Sequence, residues 1–308
     1  MSKRVLITGG TGFVGANLVH YLVSHGYDVH LIVRPDHQAW RIQSIADRIT
    51  LHICNIQDIN DTNKTMQAIR PHWIFHLATH GAYSWQRDTY EIINTNFIGT
   101  VNLVKAGLDV GFDAFVNVGS SSEYGLKDHA TSENTLPEPN SDYAVTKLAA
   151  TLYCDHIAKS ENVNISTLRL YSVYGEYEDF NRLIPQLIIQ GMKGHYPPLA
   201  SPSIARDFIY IEDVIQACMA IIHTSQHGIY NIGTGIQTTL KEAVETVREL
   251  LDIEKEPNWE SMPNRNWDTS VWYGDITKAK TLLGWEPKYT LVEGLTKTIQ
   301  WFKERELD

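Results

Sequence analysis

The sequence predicts an α/β chain built on a doubly wound parallel sheet, and three observations predict it. The chain opens with an apolar run, Val5-Leu6-Ile7, that breaks into glycines and resumes as an apolar helical pattern through Phe13, Val14, Leu18, Val19 and Leu22. Strand-like and helix-like stretches then alternate regularly through the first half. Several of the strand-like runs end in loops of small or polar residues, which such a sheet gathers at one edge and into one cleft.

Taken in order, the opening is a nucleotide phosphate cradle. Gly9, Gly12 and Gly15 fit GxxGxxG, and Gly10, Gly12 and Gly15 fit GxGxxG. Gly9 permits the tight turn, Gly12 lets backbone approach a pyrophosphate, and Gly15 lets helix pack on strand. The helix start then turns unpaired N–H groups and a positive dipole end toward the phosphates. Because strand precedes and helix follows, this is the setting the motif requires.

A second strand is predicted over residues 28–33, ending at Arg34. An acid here would accept hydrogen bonds from an adenosine ribose, whereas Arg34 can clamp a 2′-phosphate and stack on adenine. NADP is therefore expected ahead of NAD, with Arg41 as a second phosphate contact. A third strand, residues 49–54, leads to Asn55 and Ile56 beside the adenine. Residues 58–70 read as a helix stopped by Pro71. The fourth strand, residues 73–78, runs into Thr79-His-Gly-Ala-Tyr-Ser84, and a long helix from about Tyr90 carries Asn94, Asn96, Gly99 and Thr100. The fifth strand, residues 114–118, ends in Gly119-Ser-Ser-Ser-Glu-Tyr-Gly125.

Tyr143 and Lys147 open the next helix four residues apart, so they share one face. A phenol titrates at ~10, and a nearby ammonium favours its phenolate. With a serine hydroxyl on the substrate oxygen, these groups suit hydride transfer to or from a nicotinamide, Tyr143 carrying the proton. Beyond Tyr174 the pattern changes: a helix about residues 182–193, a Pro-rich stretch at 196–202, a return to the main sheet near 207–213 and an amphipathic helix over 240–251. Trp259, Trp267 and Trp272 then precede a last helix ending near Trp301, and these tryptophans are expected to pack rather than stack on a base. The expected division is a Rossmann-type domain over residues 1–172 and 205–236, and a smaller mixed α/β substrate-binding lobe over 173–204 and 237–308.

Bulk numbers exclude other classes. A 308-residue chain with 43% hydrophobic residues has ample material for a core. A net charge of −10 argues against non-specific nucleic-acid binding. No apolar run approaches ~20 residues, so no membrane span is expected. The strand starts almost at the first residue, so no signal peptide is expected either. Cys54, Cys154 and Cys218 are scattered and read as reduced thiols of a cytoplasmic protein; no HExxH is present and no metal site is expected.

Together these residues resemble the extended short-chain dehydrogenase/reductases, in particular the nucleotide-sugar epimerase/dehydratase/reductase kind. The resemblance rests on the glycine motif, His76-Leu-Ala78, Asn96 with Gly99-Thr100, the serine loop and Tyr143/Lys147. It continues through Arg169-Leu-Tyr-Ser-Val-Tyr-Gly175, Arg206-Asp-Phe-Ile-Tyr-Ile-Glu-Asp213, Tyr230-Asn-Ile-Gly233 and Leu283-Gly-Trp-Glu-Pro287. It implies Ser120, Tyr143 and Lys147 as the catalytic set. It also implies cofactor contacts from Gly9, Thr11, Gly12, Phe13, Val14, Arg34, Asn55, Ile56, Leu77, Ala78, Thr79, Asn96, Val118, Tyr143, Lys147 and Tyr171. Ser121, Ser122, Arg182, Arg206 and Arg265 are the implied substrate contacts, Arg206 and Arg265 on the diphosphate. A homodimer on the helices after strands four and five is implied as well.

Departures refine the expectation. Sugar dehydratases of this kind carry acids just after the catalytic Thr, where this chain has Ser121 and Ser122, with Glu123 one place late; dehydration is disfavoured. Ser172 replaces an Asn, and Asn55 an Asp. The expected activity is NADPH-dependent reduction of a nucleotide-activated 4-keto sugar. The alternative is an epimerase of the UDP-glucose 4-epimerase kind, and a non-catalytic dinucleotide-binding regulator ranks behind both.

Overall fold

A computed structural model describes residues 2–305 apart from Ser84, Ser225 and residues 264–267. The chain runs β1 (Arg4–Thr8), α1 (Phe13–Ser24), β2 (Asp28–Val33), β3 (Ile49–Ile53), α2 (Ile59–Ile69), β4 (Trp73–His76), α3 (Thr89–Ile93), α4 (Gly99–Val110), β5 (Ala114–Ser120), α5 (Asp142–Ser160) and β6 (Ile165–Leu170). There follow β7 (Ser172–Tyr174), α6 (Leu183–Gly191), β8 (Ala205–Arg206), β9 (Phe208–Tyr210), α7 (Ile211–Ile222), β10 (Gly228–Ile232), β11 (Thr238–Thr239), α8 (Leu240–Leu251), α9 (Thr277–Leu283) and α10 (Leu291–Lys303).

Seven strands form one sheet in the order β10-β6-β5-β4-β1-β2-β3, and every pairing is parallel. The expected Rossmann-like architecture is therefore the one observed. The order reverses between β1 and β4, which opens the ligand crevice at the carboxyl ends of those strands.

The strands' alternate residues feed two cores. One joins Val5, Ile7 and Leu31 to Leu18 and Val19 of α1 and Val214 of α7, and continues without a break into Leu187, Val244 and Phe302 of α6, α8 and α10. The other joins Leu6, Ile32 and Ile74 to Met66, Leu103 and Cys154 of α2, α4 and α5. The C-terminal helices thus share a core with one sheet face.

Two expectations change. Residues 207–213 do not enter the main sheet: β9 is three residues long and pairs with β7, Ile211 already begins α7, and the strand that returns is β10, beside β6. The helix expected from about Tyr90 is interrupted, because Asn94–Ile98 form a π turn between α3 and α4, a local widening of the helix. No described helix is long and apolar enough to cross a membrane.

Candidate active site

The cradle is built as the glycine spacing requires. Gly9 turns at φ +72°, and a Cβ there would lie 2.6 Å from the Ala78 nitrogen, against the backbone that follows β4. Gly12 N–H closes the turn onto the Gly9 carbonyl at 3.0 Å. A Cβ on Gly15 would collide with that same carbonyl. No side chain caps α1 and no acid stands in its first turn, so its leading N–H groups and dipole face an anion unopposed. A dinucleotide pyrophosphate fits these features, with Thr11, Phe13 and Val14 forming the turn and helix start. Asn17 Nδ2 ties this end of α1 to the carbonyls of Phe13 (3.0 Å) and Glu176 (2.8 Å).

The groups expected at the adenine end lie where β2 and β3 stop. The Arg34 side chain is 66% exposed, with Nε 3.6 Å from an Asp36 carboxylate oxygen. Arg41 is engaged within the chain, its Nε donating to the Tyr177 carbonyl (2.7 Å) and Nη1 to the Thr11 carbonyl (3.4 Å). Asn55 is exposed and its side-chain oxygen accepts from Gln57 N–H. Ile56 is buried, so close to Gly99 that a Cβ there would meet its Cδ1 at 2.8 Å.

A buried polar chain fixes the loop after β4. Thr8 Oγ1 accepts from Ala78 N–H (3.2 Å) and bonds His76 Nδ1 (2.6 Å). On the other side of the ring, His76 Nε2 meets Thr100 Oγ1 (2.9 Å), whose proton goes to the Asn96 carbonyl (2.6 Å). The hydrogen of His76 therefore sits on Nε2 and the ring is neutral; burial holds its pKa down to about 3, helped by the Lys147 charge. Asn96 extends the chain: its oxygen accepts from Thr79 Oγ1 (3.1 Å) and His80 N–H (2.7 Å), and its amide donates to the His80 carbonyl (2.9 Å) and Thr146 Oγ1 (3.0 Å). Asn96 thus holds Thr79 and His80 in place, while Thr8 holds Leu77 and Ala78. His72, His76 and His80 recur every four residues, a ligand spacing on a helix. Here they fall on a strand and loop, and His72 Nδ1 accepts from Arg4 N–H (3.0 Å).

Ser120, Tyr143 and Lys147 meet at the carboxyl end of β5. Ser120 is the last residue of that strand, and its Oγ accepts from Ser122 N–H at 3.1 Å. The hydroxyls of Ser120 and Thr79 and the Arg182 guanidinium favour the ionised form of the Tyr143 phenol, but burial, joined by the Glu123 charge, outweighs them and raises its pKa. Lys147 is buried and donates to the Val118 carbonyl. Burial pushes its pKa down to about 8, with the Glu123 carboxylate pulling the other way. The Lys147 ammonium is directed at the Val118 carbonyl, and the Arg182 guanidinium is a cation that favours the Tyr143 phenolate; the phenol's pKa is nonetheless raised, not lowered as expected.

Toward the second lobe, Arg182 Nη2 donates to the Ala82 carbonyl (2.9 Å) and lies over the Tyr83 ring (4.6 Å). Arg206 bonds Asp268 (3.1 Å) and faces the Trp272 ring (5.5 Å). Ser121 is buried and accepts from Trp272 Nε1 (3.2 Å), so Trp272 ties the segment before α9 to the serine loop. Tyr171 packs against Gly233 and Gly274, and its phenol bonds Thr131. Arg265 and Trp267 lie outside the described residues. The chain from Thr8 to Thr146 was missed in the sequence; the histidine inside an apolar strand and the polar Asn94-Thr-Asn96 run inside a helix were its only signals.

Comparison with known proteins agrees with this geometry. The model of the NAD dependent epimerase/dehydratase family matches residues 5–233. UDP-glucuronic acid decarboxylase 1 of Danio rerio is 29% identical, over 99% of this chain and 74% of its own. The structure of UDP-glucose 4-epimerase from Thermotoga maritima with UDP-glucose superposes at a TM-score of 0.89, with 26% identity over 98% of this chain and 99% of that one. UDP-glucuronic acid 4-epimerase from Bacillus cereus, in complex with UDP-glucuronic acid and NAD, gives 0.85 and 28% over 98% and 99%. With this breadth of match and the strand–glycine–helix cradle in place, the chain belongs to the NAD dependent epimerase/dehydratase family.

Proposed function

We propose that the chain is an enzyme that transfers a hydride between a nicotinamide dinucleotide and a nucleotide-activated sugar, with Ser120, Tyr143 and Lys147 as its acid–base set. The observation that carries this is the meeting of Ser120, Thr79 and Tyr143 beside an uncapped α1. A bound dinucleotide supplies hydride chemistry at its nicotinamide ring. The chain's part is to hydrogen-bond the sugar oxygen through Ser120 and to give or take its proton at the Tyr143 oxygen. Lys147 supplies positive charge nearby, and the burial of Tyr143 keeps the phenol protonated until the oxygen needs it. Arg182 and Arg206, with Arg265, would hold the anionic part of the sugar nucleotide.

The net reaction we favour is NADPH-dependent reduction of a 4-keto sugar. Arg34, exposed at the end of β2, suits a 2′-phosphate, and Ser121 and Ser122 stand where elimination would call for acids. Epimerisation with a retained dinucleotide is the second reading. Two observations favour it: a relative of this length binds NAD together with its sugar nucleotide, and Arg41 and Asn17 tie residues 176–177 down onto the cradle. Absorbance at 340 nm separates the two. A reductase consumes one NADPH per sugar turned over, whereas an epimerase interconverts two sugar nucleotides with no net change. Assays would use UDP-glucose, UDP-glucuronic acid and a dTDP-4-keto-6-deoxy sugar, each with NADPH and NADH. Interconversion without dinucleotide consumption would displace the reductase reading.

A homodimer is part of the proposal. Val145 and Leu152 lie seven residues apart on α5 and are exposed, as are Tyr90, Ile93 and Ile98 on the preceding helical segment, an apolar face suited to a second copy.

A further inference from the structure

Beneath the serine loop lies a fully buried ion pair for which the functional reading has no use. Glu123 is 0% and Arg169 1% exposed, in the turn after β5 and on β6 respectively. One Glu123 oxygen accepts from Ser120 N–H (2.8 Å) and Thr151 Oγ1 (3.1 Å), and the other from Arg169 Nε (2.7 Å). Arg169 also lies over the Tyr124 ring at 4.6 Å, and its Nη1 has no partner among the described residues. A buried charge pair of this kind is weak as a stabiliser, since desolvation offsets much of its attraction. Its location suggests another use: Glu123 bonds the backbone of Ser120, reaches Thr151 one turn beyond Lys147 on α5, and faces Lys147 itself.

We propose that Glu123 is a positioning residue for the catalytic set, its carboxylate fixing the backbone of Ser120 and supplying the negative charge that faces Lys147. The proposal rests on the reading of Ser120, Tyr143 and Lys147 as that set. Among the described groups around Lys147, Glu123 supplies the carboxylate: Val118 contributes a carbonyl, His76 on β4 is neutral, and the Cys154 thiol on α5 is pushed up to about 12 by burial. Burial lowers the Lys147 pKa, and the opposing pull comes first from Glu123. Arg169 holds the carboxylate from the far side. The acid that falls one place late for dehydration thereby gains a role under the loop.

The test is titration of Lys147 in the full-length protein by NMR of 13C-labelled lysine, assigned with Lys147→Met, in wild type, Glu123→Asp and the double variant Glu123→Gln/Arg169→Met. The double variant removes both charges, so neither is left buried alone. Expected is a Lys147 midpoint lower than wild type by about 1 unit in the double variant, with Glu123→Asp between the two. With whichever of UDP-glucose, UDP-glucuronic acid or the dTDP-4-keto-6-deoxy sugar is turned over, kcat should fall about 10-fold or more while KM changes little. The alkaline limb of the kcat profile should also move to lower pH. An unchanged Lys147 midpoint in either folded variant overturns the proposal, and Glu123→Asp carries the test alone if the double variant does not fold. The titration needs no substrate, so it stands or fails apart from the assigned activity; undiminished turnover by Tyr143→Phe would sink that activity and leave the Lys147 result intact.

Discussion

At Tyr143, burial and the Glu123 charge raise the phenol's pKa while two hydroxyls and Arg182 pull it down. A proton donor that must also accept can use this balance, and Arg182→Met removes one of the three groups that pull the pKa down. That variant is expected to raise the pH at which kcat reaches half its maximum, measured as a pH–rate profile; an unmoved profile would show that Arg182 acts only on binding. Glu178 offers a separate check on burial. Its carboxyl is buried, with Oε2 unpartnered among the described residues, and burial pushes it up to about 8 from the ordinary 4.5. Between those values the folded chain keeps a proton that the unfolded chain has released, so stability falls as pH rises through that window. Glu178→Gln cannot titrate. It is expected to melt higher than wild type at pH 8, by a few degrees, with little gain near pH 4.5; equal differences at both pH values would contradict the assignment.

At the level of elements, the cradle makes the sharpest demand on sequence. Gly15→Ala forces a methyl into the Gly9 carbonyl, an overpacking that costs about 1–3 kcal/mol. It is expected to lower the melting temperature and weaken dinucleotide affinity at least about 10-fold by fluorescence titration. Arg34→Glu, by contrast, alters an exposed side chain and should leave stability within about 0.5 kcal/mol of wild type. It should raise KM for NADPH about 10-fold or more and leave KM for NADH nearly unchanged; equal effects on both would remove the 2′-phosphate from Arg34. The strand–glycine–helix opening, the alternation of elements and the shared face of Tyr143 and Lys147 were all legible in the sequence, because each is local and periodic. What stayed hidden was set across the fold. The π turn at Asn94–Ile98 and the polar chain from Thr8 through His76 and Asn96 to Thr146 need contacts between residues far apart in sequence. The direction of Lys147 depends on which carbonyl of β5 it meets, and no spacing rule reveals that. Residues 207–213 were misplaced because a three-residue strand has too short a pattern to say which sheet it joins.

For the whole molecule, one core runs from the sheet through α1 and α7 into α6, α8 and α10, so these C-terminal helices are packed against the sheet and the cradle helix rather than hung from them. This continuity allows groups from both halves to converge on a single phenol. Assembly is a separate property of the molecule: Leu152→Asp, on the exposed face of α5, is expected to convert a dimer to a monomer in sedimentation, and a wild type that sediments as a monomer would remove the dimer from the account. The central claim, that Tyr143 carries the proton in hydride exchange with a nucleotide sugar, is tested most directly by Tyr143→Phe assayed in parallel for dinucleotide binding and for turnover. The account predicts binding within about twofold of wild type and turnover reduced at least about 100-fold; a variant that binds and turns over like wild type would contradict it.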